Sequence, residues 1–203
     1  MALLSRAPRP LRSVLAVACL SLAVTAEARG QDLGGDLEQQ VKAAYLLNFT
    51  RYVDWPPGTY RRDDDPVNLC VVGPEGLADV VRRTVEGRRS RGRPVRVVVP
   101  DTPAQAGDCH LVFLAPAGGA VSPWLAAVRS SRALVVGEGP RFLERGGMVA
   151  FVIVNQTVRF EIDQAAARRA GLRISSRVLA LATRVVGGEI GRASCRERVL
   201  FEV

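Results

Sequence analysis

The sequence predicts an α/β fold: a single domain with a mixed, mostly parallel sheet, flanking helices and a C-terminal hairpin plus helix. Apolar runs of strand length alternate with helical patterns along most of the chain, which is typical of parallel strands covered by helices. Two further apolar runs flank Asn155-Gln156, and this spacing favours an antiparallel hairpin. The chain has 203 residues, of which 48% are hydrophobic, and this size and apolar content suit one folded domain. We place that domain at residues 36–188.

The first predicted element is a helix that begins at Asp36, which forms a capping-box-like pattern with Gln39. Its apolar stripe consists of Leu37, Val41, Tyr45, Phe49 and Tyr52. Lys42 lies off that stripe. The helix ends before Trp55, because Pro56-Pro57 disfavour helical backbone in the preceding residues.

The later elements follow from the same two periodicities. Strands are predicted at residues 67–73, 95–99, 109–115 and 133–136, with helices over 75–85 and from Ser122-Pro123 onward. The hairpin strands cover residues 148–154 and 157–162. Asp163 caps a short helix that ends at Gly171, and Ser175 or Ser176 caps the last helix. The inward residues of that last helix are predicted to be Val178, Leu181, Ala182 and Val185.

Both ends of the chain differ from this domain. Three arginines precede an uncharged apolar stretch at residues 14–26, and Ala26-Glu27-Ala28 fits a cleavage site, so residues 1–28 are predicted to be a secretory signal peptide. The alternatives are a lipoprotein modified at Cys19 and a retained anchor, although the apolar stretch is shorter than the ~20 residues of a spanning helix. No other segment has the length and apolarity of a membrane span, which predicts an exported, periplasmic protein. Residues 189–203 have no clear period and resemble translated vector sequence, so we interpret them as a tail outside the domain.

The basic composition does not indicate nucleic-acid binding. The chain has 28 Lys and Arg against 20 Asp and Glu, and Lys42 is its only lysine. The densest arginine run, residues 82–96, contains no aromatic side chain on which bases would stack. We therefore interpret the run as a solvated helix end and turn.

The residues that carry most enzyme chemistry are scarce. His110 is the only histidine, and its place at the start of an apolar strand favours a core-edge histidine hydrogen-bonded to backbone over a catalytic base. Two core cysteines without a CxxC spacing are too few for a zinc site, and no phosphate-binding loop is present. The sequence therefore predicts a protein that is not an enzyme and that needs neither a metal nor a cofactor.

Cys70 and Cys109 are the cysteines of the predicted domain. An exported protein folds in an oxidising compartment, and both residues fall on predicted strands. Neighbouring strands bring Cα atoms within disulfide range, so these two residues are a disulfide candidate. Two buried free cysteines that pack as small hydrophobes are the alternative.

Several segments in order resemble the YfiR-like family of exported bacterial regulators. They are residues 41–56, with Lys42-Ala43-Ala44 and Asp54-Trp55-Pro56, residues 69–73, 109–113, 142–151 and 159–163, and finally residues 170–179. The resemblance implies a periplasmic protein that binds and restrains a membrane-bound diguanylate cyclase, limits cyclic di-GMP and biofilm growth, and dimerises. The family also carries a second cysteine pair late in the domain, and residues 143–152 contain no cysteine. Redox control through that pair does not carry over.

Four residues are candidate contacts for a partner or ligand. They are Trp55, before the two prolines, and the polar residues Arg159, Glu161 and Arg177. Core packing, an internal ion pair or plain solvation are their alternatives. Two other function classes stay open: a periplasmic small-ligand-binding module that serves another receptor or kinase, and a hydrolase or oxidoreductase of unknown type.

Overall fold

The computed structural model describes residues 25–74, 76–116, 118, 120–139 and 141–188, with side chains from residue 35 onward. Most of the predicted signal peptide and the whole tail at 189–203 lie outside the described residues. The chain divides into two units after Gln39, and the sheet belongs to the second unit. The first unit, in its described part, is helical.

Helices and short strands alternate along the chain. The helices are α1 (Thr25–Tyr52), α2 (Leu77–Val85), α3 (Ser122–Val128), α4 (Gln164–Arg169) and α5 (Ser176–Leu181), with a 3₁₀-helix at Pro103–Asp108. The strands are β1 (Val53–Asp54), β2 (Val67–Val72), β3 (Arg89–Ser90), β4 (Arg93–Val98), β5 (Leu111–Leu114), β6 (Leu134–Glu138), β7 (Val149–Val154), β8 (Thr157–Asp163), β9 (Arg173–Ile174) and β10 (Arg184–Val186).

Eight of these strands form one sheet in the order β10-β8-β7-β6-β5-β2-β4-β3. The five strands from β7 to β4 in this order run parallel to one another, whereas β8 is antiparallel to β7 and β10 is parallel to β8. All four residues of β5 are buried, as expected for a central parallel strand with both faces covered. The α/β fold with a mostly parallel sheet is thus confirmed.

The hairpin between β7 and β8 follows the predicted turn. Phe151 lies opposite Phe160, and Val154 lies opposite Thr157. Asn155 and Gln156 both have positive φ, at 48° and 58°. A two-residue loop with this backbone matches the twist of the adjoining strands.

Aromatic side chains hold α1 against one face of the sheet. Phe49 packs on Phe151 and Phe160 with ring centroids 6.1 and 5.2 Å apart, and Tyr45 lies 5.1 Å from Phe160. Phe113 of β5 reaches the same cluster through Phe151. Residues of β5, β7 and β8 that alternate with these rings therefore face the opposite side of the sheet.

The predicted face of α1 is wrong in part. Leu37 is 62% exposed, whereas Lys42 is 7% exposed. The Lys42 ammonium lies 2.7 Å from a Glu138 carboxylate oxygen at the end of β6, and this pairing allows the charge to be buried. The helix also runs through Asp36 from Thr25, so Asp36 is not its cap.

The predicted last helix is too long. It ends at Leu181, which is 61% exposed, because Ala182 adopts extended backbone and the Thr183 amide donates to the Phe160 carbonyl at 2.9 Å. Val185 therefore lies on the edge strand β10, not on a buried helix face. Pairing with β8 outcompetes continuation of the helix.

A phenylalanine ring fills the space that two glycines leave open. A Cβ atom on Gly137 or Gly147 would overlap the ring of Phe142, which is 2% exposed. The ring therefore lies against the backbone at both glycines. This close approach joins the end of β6 to the loop before β7.

Gly147→Ala is expected to lower the free energy of unfolding by about 1–3 kcal/mol, because the packed ring must move. Gly107→Ala is the matched control, since a Cβ there meets nothing within 4 Å and the backbone has no positive φ. Urea unfolding of both variants measures the difference. Equal stabilities would contradict the close packing of Phe142.

Candidate functional site

Cys70 and Cys109 are joined by a disulfide in the structure. Their Cα atoms are 5.9 Å apart, and both side chains are buried. Cys70 lies on β2 as predicted, whereas Cys109 lies at the end of the 3₁₀-helix before β5, not on the strand itself. The bond closes a loop that contains α2, β3 and β4.

His110 is held by backbone groups, as predicted for a core-edge histidine. The Asn68 amide donates to His110 Nδ1 at 2.9 Å, and the His110 amide donates to the Asn68 carbonyl at 2.9 Å. The imidazole stacks on Tyr60 with ring centroids 4.7 Å apart. A ring nitrogen that accepts a backbone hydrogen bond is not available there as a general base.

Trp55 is half-buried against the same histidine. Its indole Nε1 donates to the His110 carbonyl oxygen at 3.1 Å, and the two rings meet edge to face. The polar atom of the indole is thus satisfied within the protein. Only part of the ring surface is left for a partner.

Tyr60, His110 and Arg93 form a layered cluster beside an open cavity of about 550 Å³. The Arg93 guanidinium lies 4.0 Å from the centre of the Tyr60 ring. Burial raises the pKa of the Tyr60 hydroxyl. Burial also lowers the pKa of the His110 imidazole, and the positive charge of Arg93 lowers it further. Both groups are therefore held neutral near pH 7.

Arg159 and Glu161 lie on one side of β8, facing away from α1. Arg159 is exposed and lies opposite Val152. Glu161 pairs with Arg184 of β10, whose guanidinium is 2.5 Å from its carboxylate. We use the name hairpin face for the surface formed by Val152, Val154, Thr157, Arg159, Glu161 and Arg184.

Arg177 is exposed on α5. Among the residues that the structure describes, no hydrogen bond, ion pair or ring contact joins Trp55, Arg177 and the hairpin face. The structure therefore places Arg159 and Glu161 on the same side of β8, whereas no such contact joins Trp55 or Arg177 to them among the described residues.

The described residues contain no group of three or more His, Cys, Asp or Glu side chains with the arrangement of a metal site. None of their helices combines the length and apolarity that crossing a bilayer requires.

The family described as DUF4154, YfiR/HmsC-like, matches residues 39–183, which is more than half of the chain. The chain belongs to the YfiR/HmsC-like family. Proteins of this family are periplasmic regulators of cyclic di-GMP signalling, and they are regulatory rather than catalytic. The family assignment made from ordered sequence segments is confirmed.

Two solved structures match part of the chain at low sequence identity. A conserved domain protein from Vibrio cholerae is 15% identical, with a TM-score of 0.46, and the match covers 59% of this chain and 54% of that one. The ABC domain from Streptococcus pneumoniae, solved in complex with L-Trp, is 12% identical, with a TM-score of 0.49, and the match covers 71% and 60%. The chain thus spans less than two thirds of either protein.

The sequence did not predict the contacts of three side chains around these sites: Tyr60, Arg93 and Arg184. Tyr60 and Arg93 are separated by more than thirty residues, and no local pattern indicates that their loop and strand meet. Arg184 was assigned to a helix, although it belongs to the strand that pairs with Glu161. A better signal for β10 was available in the β-branched residues Val185 and Val186.

Removal of the disulfide by a Cys70→Ala/Cys109→Ala double substitution is expected to lower the free energy of unfolding by about 2–4 kcal/mol, because the unfolded chain gains loop entropy. Urea unfolding measures this loss. Peptide mapping of the denatured, unreduced protein provides the direct check, and free thiols at both positions would contradict the bond.

His110 should make the stability of this family member depend on pH. The pKa of His110 is lower in the folded protein than its ordinary value of about 6.5. The contribution of neutral His110 to the free energy of unfolding is therefore complete above about pH 6.5 and is lost as the pH falls through the pKa of the folded state. His110→Asn keeps an acceptor for the Asn68 amide and does not titrate. Melting temperatures should therefore fall more steeply below about pH 6.5 in the wild type than in the variant. Parallel curves would rule out this role for His110.

Proposed function

We propose that this YfiR/HmsC-like protein binds the periplasmic part of a membrane-bound sensor, a diguanylate cyclase, and restrains it. Family membership supports a periplasmic regulator of cyclic di-GMP signalling in general. The sensor as partner and the restraint as mode of action are our proposal. Release of that restraint would raise cyclic di-GMP and favour biofilm growth.

The hairpin face is the observation that carries this proposal. Val154 is 42% exposed near the tip of the hairpin, and Arg159 is exposed one strand away. Arginine next to exposed apolar side chains is typical of protein interfaces, where the guanidinium pairs with a carboxylate of the partner and the apolar groups lose water. The Glu161–Arg184 pair holds the base of this face.

The four candidate residues have different parts in the proposal. Arg159 makes a direct contact, and Glu161 contributes the paired carboxylate beside it. Arg177 makes a separate contact from α5. We assign Trp55 a positioning role, because its indole already donates a hydrogen bond to His110.

Export and assembly complete the proposal. Residues 1–28 act as the signal peptide, residues 36–188 form the functional domain, and residues 189–203 have no part in binding. The mature protein acts as a homodimer, as the family resemblance implies. It uses neither a cofactor nor a catalytic residue.

Deletion of the gene is expected to raise cellular cyclic di-GMP severalfold, because the sensor cyclase is no longer restrained. Extraction of nucleotides and mass spectrometry measure the level. Complementation with the wild-type gene should restore it. An unchanged cyclic di-GMP level in the deletant would contradict a diguanylate cyclase as the partner and would favour a different receptor.

Arg159→Glu tests the hairpin face in the same strain. The variant should complement poorly while its melting temperature stays near that of the wild type, because the arginine is exposed and has no ion pair among the described residues. Arg88→Glu is the control, since it makes the same charge change at another exposed position. Equal complementation by both variants would exclude Arg159 from the interface.

A further inference from the structure

A second cavity lies on the side of the sheet opposite α1, between α3 and α4. Its volume is about 420 Å³, within the range of small-molecule sites. Val135 of β6 contributes to its floor, and it alternates with Val136, whose strand partner is Phe113 in the α1-facing cluster. The cavity is separate from the disulfide and from the Tyr60–His110 cluster.

The floor of this cavity is apolar. It is formed by side chains that are at most 9% exposed: Leu125, Val128, Val135, Met148 and Ala166. They come from two helices, one strand and the residue before β7, so the packing of the domain shapes the floor. An apolar group placed there would lose water against a preformed surface.

The rim of the cavity is cationic. It carries the guanidinium groups of Arg129, Arg145 and Arg169, against the single carboxylate of Glu144. Arg145 donates to the Ser122 hydroxyl at 3.4 Å. Arg129 and Arg169 have no hydrogen bond or ion pair from their side chains to the residues that the structure describes.

We propose that this cavity binds a small organic anion with an apolar body, such as an aromatic or branched carboxylate. The apolar body occupies the floor, and the carboxylate lies at the rim between Arg129 and Arg169. Guanidinium groups bind carboxylates through paired, charge-assisted hydrogen bonds. Inorganic phosphate would leave the floor empty, and a neutral apolar molecule would leave the rim charges without a counter-ion.

This site is independent of the proposed interface with a sensor. It uses none of the residues of the hairpin face, and its occupancy does not require the partner. The two proposals can therefore fail separately. A failure of the cavity to bind the anion would not change the result expected for Arg159→Glu in the complementation experiment. Normal complementation by Arg159→Glu would not change the binding expected at the cavity.

Phenylacetate and phenylacetamide are the probes, because they share the apolar ring and differ in charge. Each is titrated into the purified exported protein, and amide chemical shifts are followed by NMR. We expect phenylacetate to bind saturably with a Kd of about 1 mM or below, and phenylacetamide to bind at least about tenfold more weakly. The shifted amides should include Gly146, Met148, Ala166 and Ala170, which line the cavity.

Arg129→Gln and Arg169→Gln should each weaken phenylacetate binding by about tenfold, through loss of one charged contact. Arg88→Gln is the matched control and should bind like the wild type, because Arg88 is exposed and does not line the cavity. Circular dichroism reports whether each variant folds. The comparison of phenylacetate with phenylacetamide uses the wild-type protein, so it tests the proposal even if a variant does not fold.

Three outcomes would overturn the proposal. They are equal binding of the acid and the amide, shifts confined to amides around Tyr60 and His110, and absence of saturable phenylacetate binding up to about 10 mM. Unchanged affinity in both cavity variants would overturn the assigned role of the rim arginines.

Discussion

The packing of α1 on the β7–β8 hairpin is the interaction on which the rest of the structure depends. Tyr45 and Phe49 come from the start of the folded unit, whereas Phe151 and Phe160 come from its late part, and their rings lie within about 6 Å of one another. This contact covers one face of the sheet with the first helix. It also directs the alternate residues of β7 and β8 to the other face, where the hairpin face is located.

Polar contacts also hold α1 in place beside this aromatic packing. Lys42 is buried because Glu138 receives its charge at the end of β6. In the last turn of the helix, the Ser90 hydroxyl donates to the Thr50 carbonyl and the Arg91 guanidinium donates to the Arg51 carbonyl. These bonds satisfy carbonyl groups that the last turn of a helix leaves open. The C-terminal half of the helix is thus held by apolar packing, by the Lys42–Glu138 ion pair and by hydrogen bonds in its last turn.

A regulator and an enzyme place different demands on such a scaffold. The His110 ring, the natural candidate for acid–base chemistry, is used to hold Asn68 and to stack on Tyr60. The two features proposed for function are surfaces: the hairpin face, with its exposed arginine, and the cavity with an arginine rim. Both lie on the side of the sheet away from α1, so a bound anion and a bound partner would occupy the same side of the molecule.

The sequence predicted the order of the longer helices and strands, the hairpin with its Asn155-Gln156 turn, the capping role of Asp163 and the family, because each depends on local periodicity, turn chemistry or ordered motifs. It did not predict the short strands β1, β3 and β9. The burial of Lys42, the position of Cys109 outside its strand and the edge strand β10 were decided only by tertiary structure. Each depends on a partner distant along the chain: Glu138 for the lysine, Cys70 for the cysteine and β8 for the edge strand. Local patterns record what a segment prefers alone, whereas burial of a charge or pairing at a sheet edge is set by what the folded chain brings beside it.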